Sequence, residues 1–358
     1  MNPVETVRQL WRRRQASVDA LANEPEPPLP VADGLGDLQL DVVDKANPRW
    51  THTMRNRRIT FVRAPVVKRS SKIFTMGSCF AIEIRHALLA RGYDVFPKYK
   101  EITFDPASQR LAKLPDWDNV NHYDTFTIRQ EFDLAFSGRH YLSSDFLKHT
   151  HLVRNTFDVG GQYTWQDPYR KQIYAANEAA LVDLSGRIDK CIGDAIALCD
   201  VYVITLGLTE VWRNEANGLY FAQPPGVDKG GGFANVSFHR STFQENYDNM
   251  RRVCELVFGR YPDRTIVLTV SPVPLNRTST ENDVIVATTE SKSILRAVAG
   301  QLEREFERVH YWPSYEISQR IDIFEENGRH VSRSGVGVIV DAFLRTHAEL
   351  DPVQAAAQ

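Results

Sequence analysis

The sequence KIFTMGSCFAIEIRHALLA, at residues 72–90, joins a short apolar run directly to a longer amphipathic run. The first run has the length and composition of a buried β-strand, and residues 81–90 repeat apolar side chains at helical spacing. Gly77 lies between the two runs and permits a tight turn. The stretch therefore predicts a strand that passes at once into a helix, which is the repeating unit of α/β proteins.

The same alternation continues along the chain. Candidate strands lie at residues 72–76, 93–96, 201–206, 265–270 and 309–312, and candidate helices at 81–90, 178–198, 242–258, 289–309 and 334–345. A strand as continuously apolar as TIVLTV (265–270) suits burial on both faces, as in a parallel sheet between two helix layers. In open sheets of this kind, ligands bind at the carboxyl ends of the strands. The chemistry is therefore expected in the residues that follow each strand.

The charge balance and the apolar segments limit the partners. Lys and Arg number 43 against 45 Asp and Glu, so the chain has no net basic field for nucleic acid or an anionic membrane surface. The first 24 residues carry charges where a secretory signal needs an apolar stretch, and no later segment has the length of a membrane span. We therefore expect a cytoplasmic protein with no nucleic-acid partner and no membrane span.

The cysteines and the motif content bear on metals and cofactors. Cys79, Cys191, Cys199 and Cys254 are too scattered for a disulfide framework or for zinc-type pairing, so reduced thiols are expected. The sequence has no Walker motif, no Gly-rich dinucleotide fingerprint and no His-Glu-x-x-His. We therefore expect no cofactor and no metal ion.

The ends of the chain and one internal stretch depart from the α/β pattern. Residues 1–36 combine apolar residues at near-helical spacing with the linker EPEPPLP, and they predict an N-terminal helix that either binds a protein partner or docks on its own domain. Residues 37–350 predict one domain, and residues 351–358 a disordered tail. Residues 98–174 are rich in aromatics and His with weak periodicity, which indicates a cap or insertion beside the site, or an ordinary irregular region.

The Gly77-Ser78-Cys79 segment presents two nucleophilic side chains at a predicted helix N-terminus. The helix dipole and the free amide groups there favour negative charge, so a cysteine would have a lowered pKa and more thiolate at neutral pH. Structural roles are open as well, with Cys79 as a small buried side chain and Ser78 as a helix N-cap.

Two further segments place polar side chains near the same predicted sheet edge. After the strand at 201–206, Thr209 could supply an oxyanion donor and Glu210 could order the site, although the pair could equally start a helix. The loop EENGRH (325–330) ends in His330, which could act as a general base while Asn327 or a nearby carboxylate fixes its tautomer. A lone loop histidine is otherwise solvated and idle.

Several motifs in a fixed order resemble one known family. They are GSCFA (77–81), GLTEVW (207–212), SPVP (271–274), SKS (291–293), WPSYE (312–316) and RHVS (329–332). Together they resemble the GSCFA family, a branch of the SGNH or GDSL-like hydrolase superfamily, over roughly residues 60–345. The resemblance implies a flavodoxin-like three-layer α/β/α sandwich and ester-hydrolysis or acyl-transfer chemistry.

The resemblance also assigns the nucleophile and the base. The superfamily's Gly-Asp-Ser block falls on residues 77–79, which makes Cys79 the nucleophile and puts Ser78 where Asp is usual. The closing Asp-x-x-His block falls on residues 327–330, so His330 is the base and Asn327 replaces Asp. A serine template loses on the order of 10⁴ in turnover without its carboxylate, whereas Cys-His-Asn sites work with a neutral third residue. Asn327 therefore favours Cys79 over Ser78 as the nucleophile, unless Glu325 or Glu326 bends in to serve instead.

The same resemblance assigns the oxyanion and substrate-binding residues. Gly77 belongs to the first block, and Gly207, Thr209 and Glu210 fall on the block that supplies an oxyanion-hole amide, which Thr209 replaces. The superfamily also has a second block, a glycine whose amide helps to bind the oxyanion, and this sequence has no clear counterpart of it. The segment that comes nearest is FDPAS (104–108), which ends in Ser108.

These observations lead to one functional hypothesis and two alternatives. The protein is expected to be an acyl esterase or O-acyltransferase that acts on a polar substrate such as a carbohydrate. One alternative is a catalytically silent module that binds a glycan or a lipid head group. The other is an interaction protein that works through its N-terminal helix, with the α/β domain as a scaffold.

Overall fold

The computed structural model describes residues 39–43, 58–103, 112–114, 120–148, 164–222, 235–321 and 323–349. The predicted N-terminal helix and linker (1–36), the C-terminal tail (351–358) and Ser108 lie outside the described residues. In the described part of the chain, no helix combines the length and the apolar character that crossing a bilayer requires.

The elements follow the alternation that the sequence predicts. The strands are β1 (Gln39–Val43), β2 (Arg58–Val62), β3 (Lys72–Gly77), β4 (Asp94–Phe96), β5 (Ala112–Lys113), β6 (Leu147–Lys148), β7 (Trp165–Asp167), β8 (Ile173–Ala175), β9 (Val201–Leu206), β10 (Glu210–Asn214), β11 (Val236–Arg240), β12 (Thr265–Val270) and β13 (Val309–Trp312). The α-helices are α1 (Cys79–Ala90), α2 (Thr125–Ser137), α3 (Glu178–Leu198), α4 (Phe243–Arg260), α5 (Val284–Glu305), α6 (Ser314–Ser318) and α7 (Arg333–His347).

Five parallel strands form the central sheet in the spatial order β4-β3-β9-β12-β13. Numbered along the chain, these strands run 2-1-3-4-5, which is the flavodoxin-like order. The order reverses between β3 and β9, where Gly77 pairs with Thr205. Ligands of doubly wound sheets bind at this switch point, in the crevice at the carboxyl ends of the strands.

Alternate residues of each central strand enter two separate cores. Tyr202, Ile204 and Leu206 of β9 pack in a core with apolar residues of α2, α3, α4 and α5. Val201 and Val203 of the same strand pack in a second core with residues of α1, α6 and α7. Helices therefore cover both faces of the sheet, and the predicted three-layer α/β/α sandwich is confirmed.

The fifth helix is the one whose predicted bounds are furthest from the structure. The pattern places it at residues 289–309, whereas α5 runs from Val284 to Glu305. Asp283 caps its first turn by accepting a hydrogen bond from the Ile285 amide (2.8 Å). The helix ends at Glu305 because Phe306 already has an extended backbone (φ −119°, ψ 115°), which leads into β13 at Val309.

The stretch at residues 98–174 contributes in part to the main fold. Ile128 and Phe132 of α2 are fully buried in the first core, so this helix belongs to a helix layer. The short strands β5, β8, β7 and β6 form a separate antiparallel sheet in that order. The interpretation as a cap therefore does not apply to α2.

Arg170, in the turn between β7 and β8, is fully buried among acidic groups. Its guanidinium donates to both carboxylate oxygens of Glu131 (2.8 Å each), to Asp189 and to the Ser185 hydroxyl (2.9 Å). The Asp167 carboxylate lies 3.6 Å from the same group, so loss of the guanidinium would leave three buried carboxylates without their cation. This network ties α2 and α3 to the small sheet.

We expect Arg170→Met to lower the free energy of unfolding by about 3–5 kcal/mol, because it breaks a buried ion pair from one side. Urea unfolding measures the change. The control is Arg251→Met, which removes an exposed pair with Glu255 (3.1 Å) and should cost under about 1 kcal/mol. Equal losses in the two variants would contradict a structural role for Arg170.

Candidate active site

Cys79 reaches the site because β3 ends in a turn that only glycine can make. Gly77 has φ +135°, and a Cβ at this position would lie 2.1 Å from the Thr205 carbonyl oxygen. Ser78 follows as the N-cap of α1, and its hydroxyl accepts a hydrogen bond from the Phe80 amide (3.3 Å). Cys79 is the first helical residue and is half-buried, whereas Ser78 is 1% exposed.

Gly207, directly after β9, allows two segments to approach closely at the switch point. A Cβ on Gly207 would lie 2.5 Å from the Tyr123 carbonyl oxygen and 3.2 Å from the Ser78 Cβ. The neighbouring Leu208 amide donates to the same Tyr123 oxygen (2.7 Å). Gly207 therefore lets the loop after β9 lie against the start of α1.

A pocket of about 350 Å³ opens beside Cys79 at this edge of the sheet. Its wall combines apolar side chains with charged ones, as follows: Ser78, Cys79, Tyr123, Asp124, Lys171, Gly207, Leu208, Glu210, Trp212, Phe221, Ala222, Ser271, Val273, Pro274, Leu275, Asn276, Arg277 and Arg329. Across the described residues, no group of three or more His, Cys, Asp and Glu side chains is arranged to hold a metal ion. Cys79 supplies the thiol of this wall.

Thr209 lies behind the pocket wall and is 2% exposed. Its amide and its hydroxyl both donate to the Ser291 hydroxyl oxygen (2.8 and 3.0 Å), and its carbonyl accepts from Ser241 (2.8 Å from both the amide and the hydroxyl). Both donors of Thr209 are therefore occupied, and the hydroxyl would have to leave Ser291 before it could bind an oxyanion.

Glu210 lines the pocket, but its carboxylate already accepts hydrogen bonds from other residues of the protein. It accepts hydrogen bonds from the Thr278 hydroxyl and from the Ser279 amide (2.8 Å). Glu210 therefore holds residues 278 and 279 of the loop that follows β12.

His330 and Cys79 border a second cleft, of about 320 Å³, together with Glu325 and Arg333. The Nδ1 atom of His330 lies 3.3 Å from the Asn327 side-chain nitrogen, and its Nε2 atom lies 2.9 Å from a guanidinium nitrogen of Arg329. Among the described residues, no hydrogen bond joins the ring to Cys79. The predicted nucleophile and base thus border the same cleft, and the Arg329 guanidinium contacts Nε2 of the His330 ring.

Asn327 holds the loop as well as the ring. Its side-chain oxygen accepts from the amides of Arg329 (2.8 Å) and His330 (3.0 Å), so its nitrogen is the atom that faces the ring. That nitrogen also donates to Glu325 (3.1 Å). Asn327 therefore lies between the ring of His330 and a carboxylate, in the place where the resemblance expects Asp.

The thiol of Cys79 is less acidic than the sequence suggests. Burial raises its pKa, and this effect outweighs the opposing influence of Arg329, Lys171 and Lys292 and of the Phe80 amide. The expectation of a lowered pKa at the helix N-terminus is therefore wrong. The pKa of His330 is lowered, first by burial and then by the charge of Arg329. Both groups are accordingly neutral at neutral pH.

Lys292 is a residue of the site to which the sequence gave no role. It is 0% exposed, its ammonium donates to the Gly207 carbonyl (2.8 Å), and burial lowers its pKa to about 7. A lysine is almost never fully buried unless it is paired. Its sequence signal is its position on α5, because the buried Leu295 and Ala299 lie three and seven residues later on the same helix face.

Comparisons with known proteins give a family and remote structural likenesses. The chain is similar to a Clostridium thermocellum family 3 carbohydrate esterase, at 11% identity and a TM-score of 0.31, over 78% of this chain and 95% of that one. It is also similar to a Streptococcus pneumonia protein provisionally named platelet activating factor, at 11% identity and a TM-score of 0.33, over 78% and 83%. A search of curated proteins gave no significant match. The family model matches residues 72–343, and the chain therefore belongs to the GSCFA family.

Proposed function

We propose that the protein hydrolyses or transfers an acyl ester, with Cys79 as the nucleophile and His330 as the base. One observation carries the proposal: Cys79 borders both the pocket beside the switch point and the cleft that contains His330. The Ser78 hydroxyl, by contrast, is engaged as a helix cap. Cys79 is therefore the nucleophilic side chain with access to a base.

The proposed reaction proceeds through a thioester. The Cys79 sulfur attacks the acyl carbonyl carbon while the His330 ring takes the thiol proton, and negative charge develops on the carbonyl oxygen. The ester C–O bond then breaks, and His330 returns the proton to the leaving oxygen. Water or an acceptor hydroxyl attacks the thioester with His330 again as base, and the thiol is restored. Because both groups start neutral, the proton moves during attack.

Backbone amides are the proposed oxyanion donors. Within the described residues, the amides of Cys79 and Gly207 have no hydrogen-bond acceptor, and both residues line the pocket. Such preorganised donors stabilise the charge that develops in the transition state. Lys292 holds the Gly207 carbonyl from behind and adds positive charge to this edge of the pocket. We assign it a positioning role.

Detection of the covalent intermediate tests the proposal. The protein is incubated with p-nitrophenyl acetate or acetyl-CoA, and its intact mass is measured before peptide mapping. We expect an increase of one acetyl group, located on Cys79. An acetyl group on Ser78 would move the nucleophile, and an unmodified protein with both donors would overturn the acyl chemistry.

A silent binding module is the second candidate function. It is favoured by the contact of His330 with Arg329 and by Asn327 in the usual position of an acid. Such a module would bind a glycan or a lipid head group in the same pocket without any mass change on Cys79. Retained binding without an adduct distinguishes it from the enzyme.

We expect Asn327→Asp to change turnover by less than about tenfold, since an Asp oxygen can still accept from the two backbone amides that hold the loop. The carboxylate would favour the protonated ring and raise the pKa of His330, so the acid limb of the pH profile should move to higher pH. The pH dependence of kcat/KM, determined for the wild type and for Asn327→Asp, measures the shift of the acid limb. Glu325→Gln is the control and should move the limb the opposite way, because the charge of Glu325 raises the pKa of His330. A gain of several orders of magnitude in Asn327→Asp would indicate a decayed site.

A further inference from the structure

Cations dominate the neighbourhood of the Cys79 thiol. Lys171, Arg277 and Arg329 line the pocket, and the buried Lys292 lies behind Gly207. The charges of Arg329, Lys171 and Lys292 act on the thiol itself. A pocket with this charge distribution favours a negatively charged group near the sulfur.

The acidic residues of the same wall, Asp124 and Glu210, are hydrogen-bonded to other groups of the protein. Asp124 caps α2, and its two carboxylate oxygens accept from the amide (2.8 Å) and the hydroxyl (3.1 Å) of Thr127. Glu210 is engaged by Thr278 and Ser279. Among the described residues, no ion pair joins either carboxylate to Lys171 or Arg329. Each carboxylate therefore holds one neighbouring loop or helix end through a backbone amide and a threonine hydroxyl.

Lys171 and Arg329 retain donors for a ligand. In the described part of the chain, Nε of Arg329 is buried without a hydrogen-bond partner. The ammonium of Lys171 donates to the Tyr123 hydroxyl and lies 4.7 Å from the centre of that ring. Burial lowers the pKa of Lys171, and the charge of Arg329 lowers it further. An anion between the two groups would relieve this repulsion.

We propose that Arg329 and Lys171 bind a carboxylate or phosphate group of the substrate beside Cys79. This deepens the proposed function by naming a substrate class, and its chemical relevance rests on that function. Arg329 presents a planar fork that matches such oxygens, and Lys171 adds a point charge.

Alkylation of Cys79 tests the anion site without requiring ester turnover. The rates for iodoacetate, an anion, and for neutral iodoacetamide are measured at pH 9 by mass spectrometry of the Cys79 peptide. Both reagents need the same thiolate, so their ratio is independent of the thiol pKa. We expect the ratio of the iodoacetate rate to the iodoacetamide rate to exceed the same ratio for free cysteine. It should fall at least about fivefold in Arg329→Gln and in Lys171→Gln.

The matched control is Arg333→Gln, which removes one charge from the neighbouring cleft. The charges that act on the Cys79 thiol come from other residues, so the ratio should stay within about twofold. A second measurement uses inorganic phosphate and acetate at constant ionic strength. Phosphate and acetate should each lower the rate at which iodoacetamide alkylates Cys79 in the wild type, and they should have little effect on that rate in Arg329→Gln. A ratio at or below that of free cysteine, or equal effects in all three variants, would overturn the anion site.

Ester substrates separate failure of the anion site from failure of the acyl chemistry. Acetyl esters of matched size are compared, one neutral, one with a carboxylate and one with a phosphate on the alcohol. The anionic esters should have the higher kcat/KM, and Arg329→Gln should remove the difference. Turnover of neutral and anionic esters at equal rates overturns the anion site but keeps the enzyme. Anion-dependent alkylation without turnover of any ester keeps the anion site but overturns the enzyme.

Discussion

We expect Cys79→Ala to abolish both the acyl adduct and ester turnover, and Ser78→Ala to retain a measurable rate. Cys79 is half-buried and borders the pocket and the His330 cleft, so its sulfur can reach a bound ester. The Ser78 hydroxyl accepts from the Phe80 amide and caps α1. Its removal costs a cap but leaves the attacking group in place. Turnover and intact mass, measured for the same preparations, give the ranking.

We expect Ser78→Ala to lose more stability than Cys79→Ala, although it should retain more activity. Ser78→Ala should lower the free energy of unfolding by about 1 kcal/mol, the usual cost of a lost N-cap. Cys79→Ala should cost less than truncation of a fully buried cysteine would, because Cys79 is only partly buried. Cys79→Ser is the isosteric control for size, and its activity should also be very low, since a hydroxyl needs a stronger base pair than His330 with Asn327. Retained activity in Cys79→Ala together with loss in Ser78→Ala would make Ser78 the nucleophile.

The central sheet was predictable because its strands carry their own signal. TIVLTV at β12 is buried along its whole length, and a run of this kind leaves few alternatives to a two-sided parallel strand. The turn at Gly77 was equally readable, since a glycine between a strand and a helix indicates a conformation that other residues avoid.

The contacts within the site were not predictable in the same way. Thr209 sits in the motif where an oxyanion donor is expected, but Ser291 of α5 takes both of its donors, and a partner 82 residues away leaves no local pattern. The pKa of Cys79 likewise depends on how deeply the sulfur is buried. Position at a helix N-terminus predicts only the effect that lowers the pKa, which here is the weaker one.

Lys292→Met is expected to lower kcat by about 100-fold or more, the usual scale for loss of a preorganised donor at an oxyanion site. The ammonium holds the Gly207 carbonyl at 2.8 Å, and the amide of the same glycine is a proposed oxyanion donor. Methionine fills a similar volume but cannot hold the carbonyl or supply charge. The ratio of kcat to KM effects separates positioning from binding, because positioning of the oxyanion donor changes kcat with little change in KM.

The same substitution should stabilise the fold, which a purely structural lysine would not allow. An ammonium without a carboxylate partner is costly to bury, and an apolar side chain of similar size removes that cost. Because burial lowers the pKa of Lys292 to about 7, the unfolded chain binds more protons than the folded one between that pH and the ordinary lysine pKa. Wild-type stability therefore rises over this interval, by up to about 1.4 kcal/mol per pH unit from this group.

The advantage of Lys292→Met over the wild type should consequently be largest below pH 7 and shrink as the pH rises towards 10. Urea unfolding at pH 6, 8 and 9.5 measures the gap. Lys190→Met is the matched control, since Lys190 is exposed and pairs with Asp194 (2.6 Å), and it should leave both stability and turnover nearly unchanged. A variant that is less stable than the wild type at pH 6 would show that Lys292 supports the fold, and its loss of turnover would then say nothing about the oxyanion. A more stable variant with a kcat reduced by about 100-fold leaves the transition state as the place where the lysine acts.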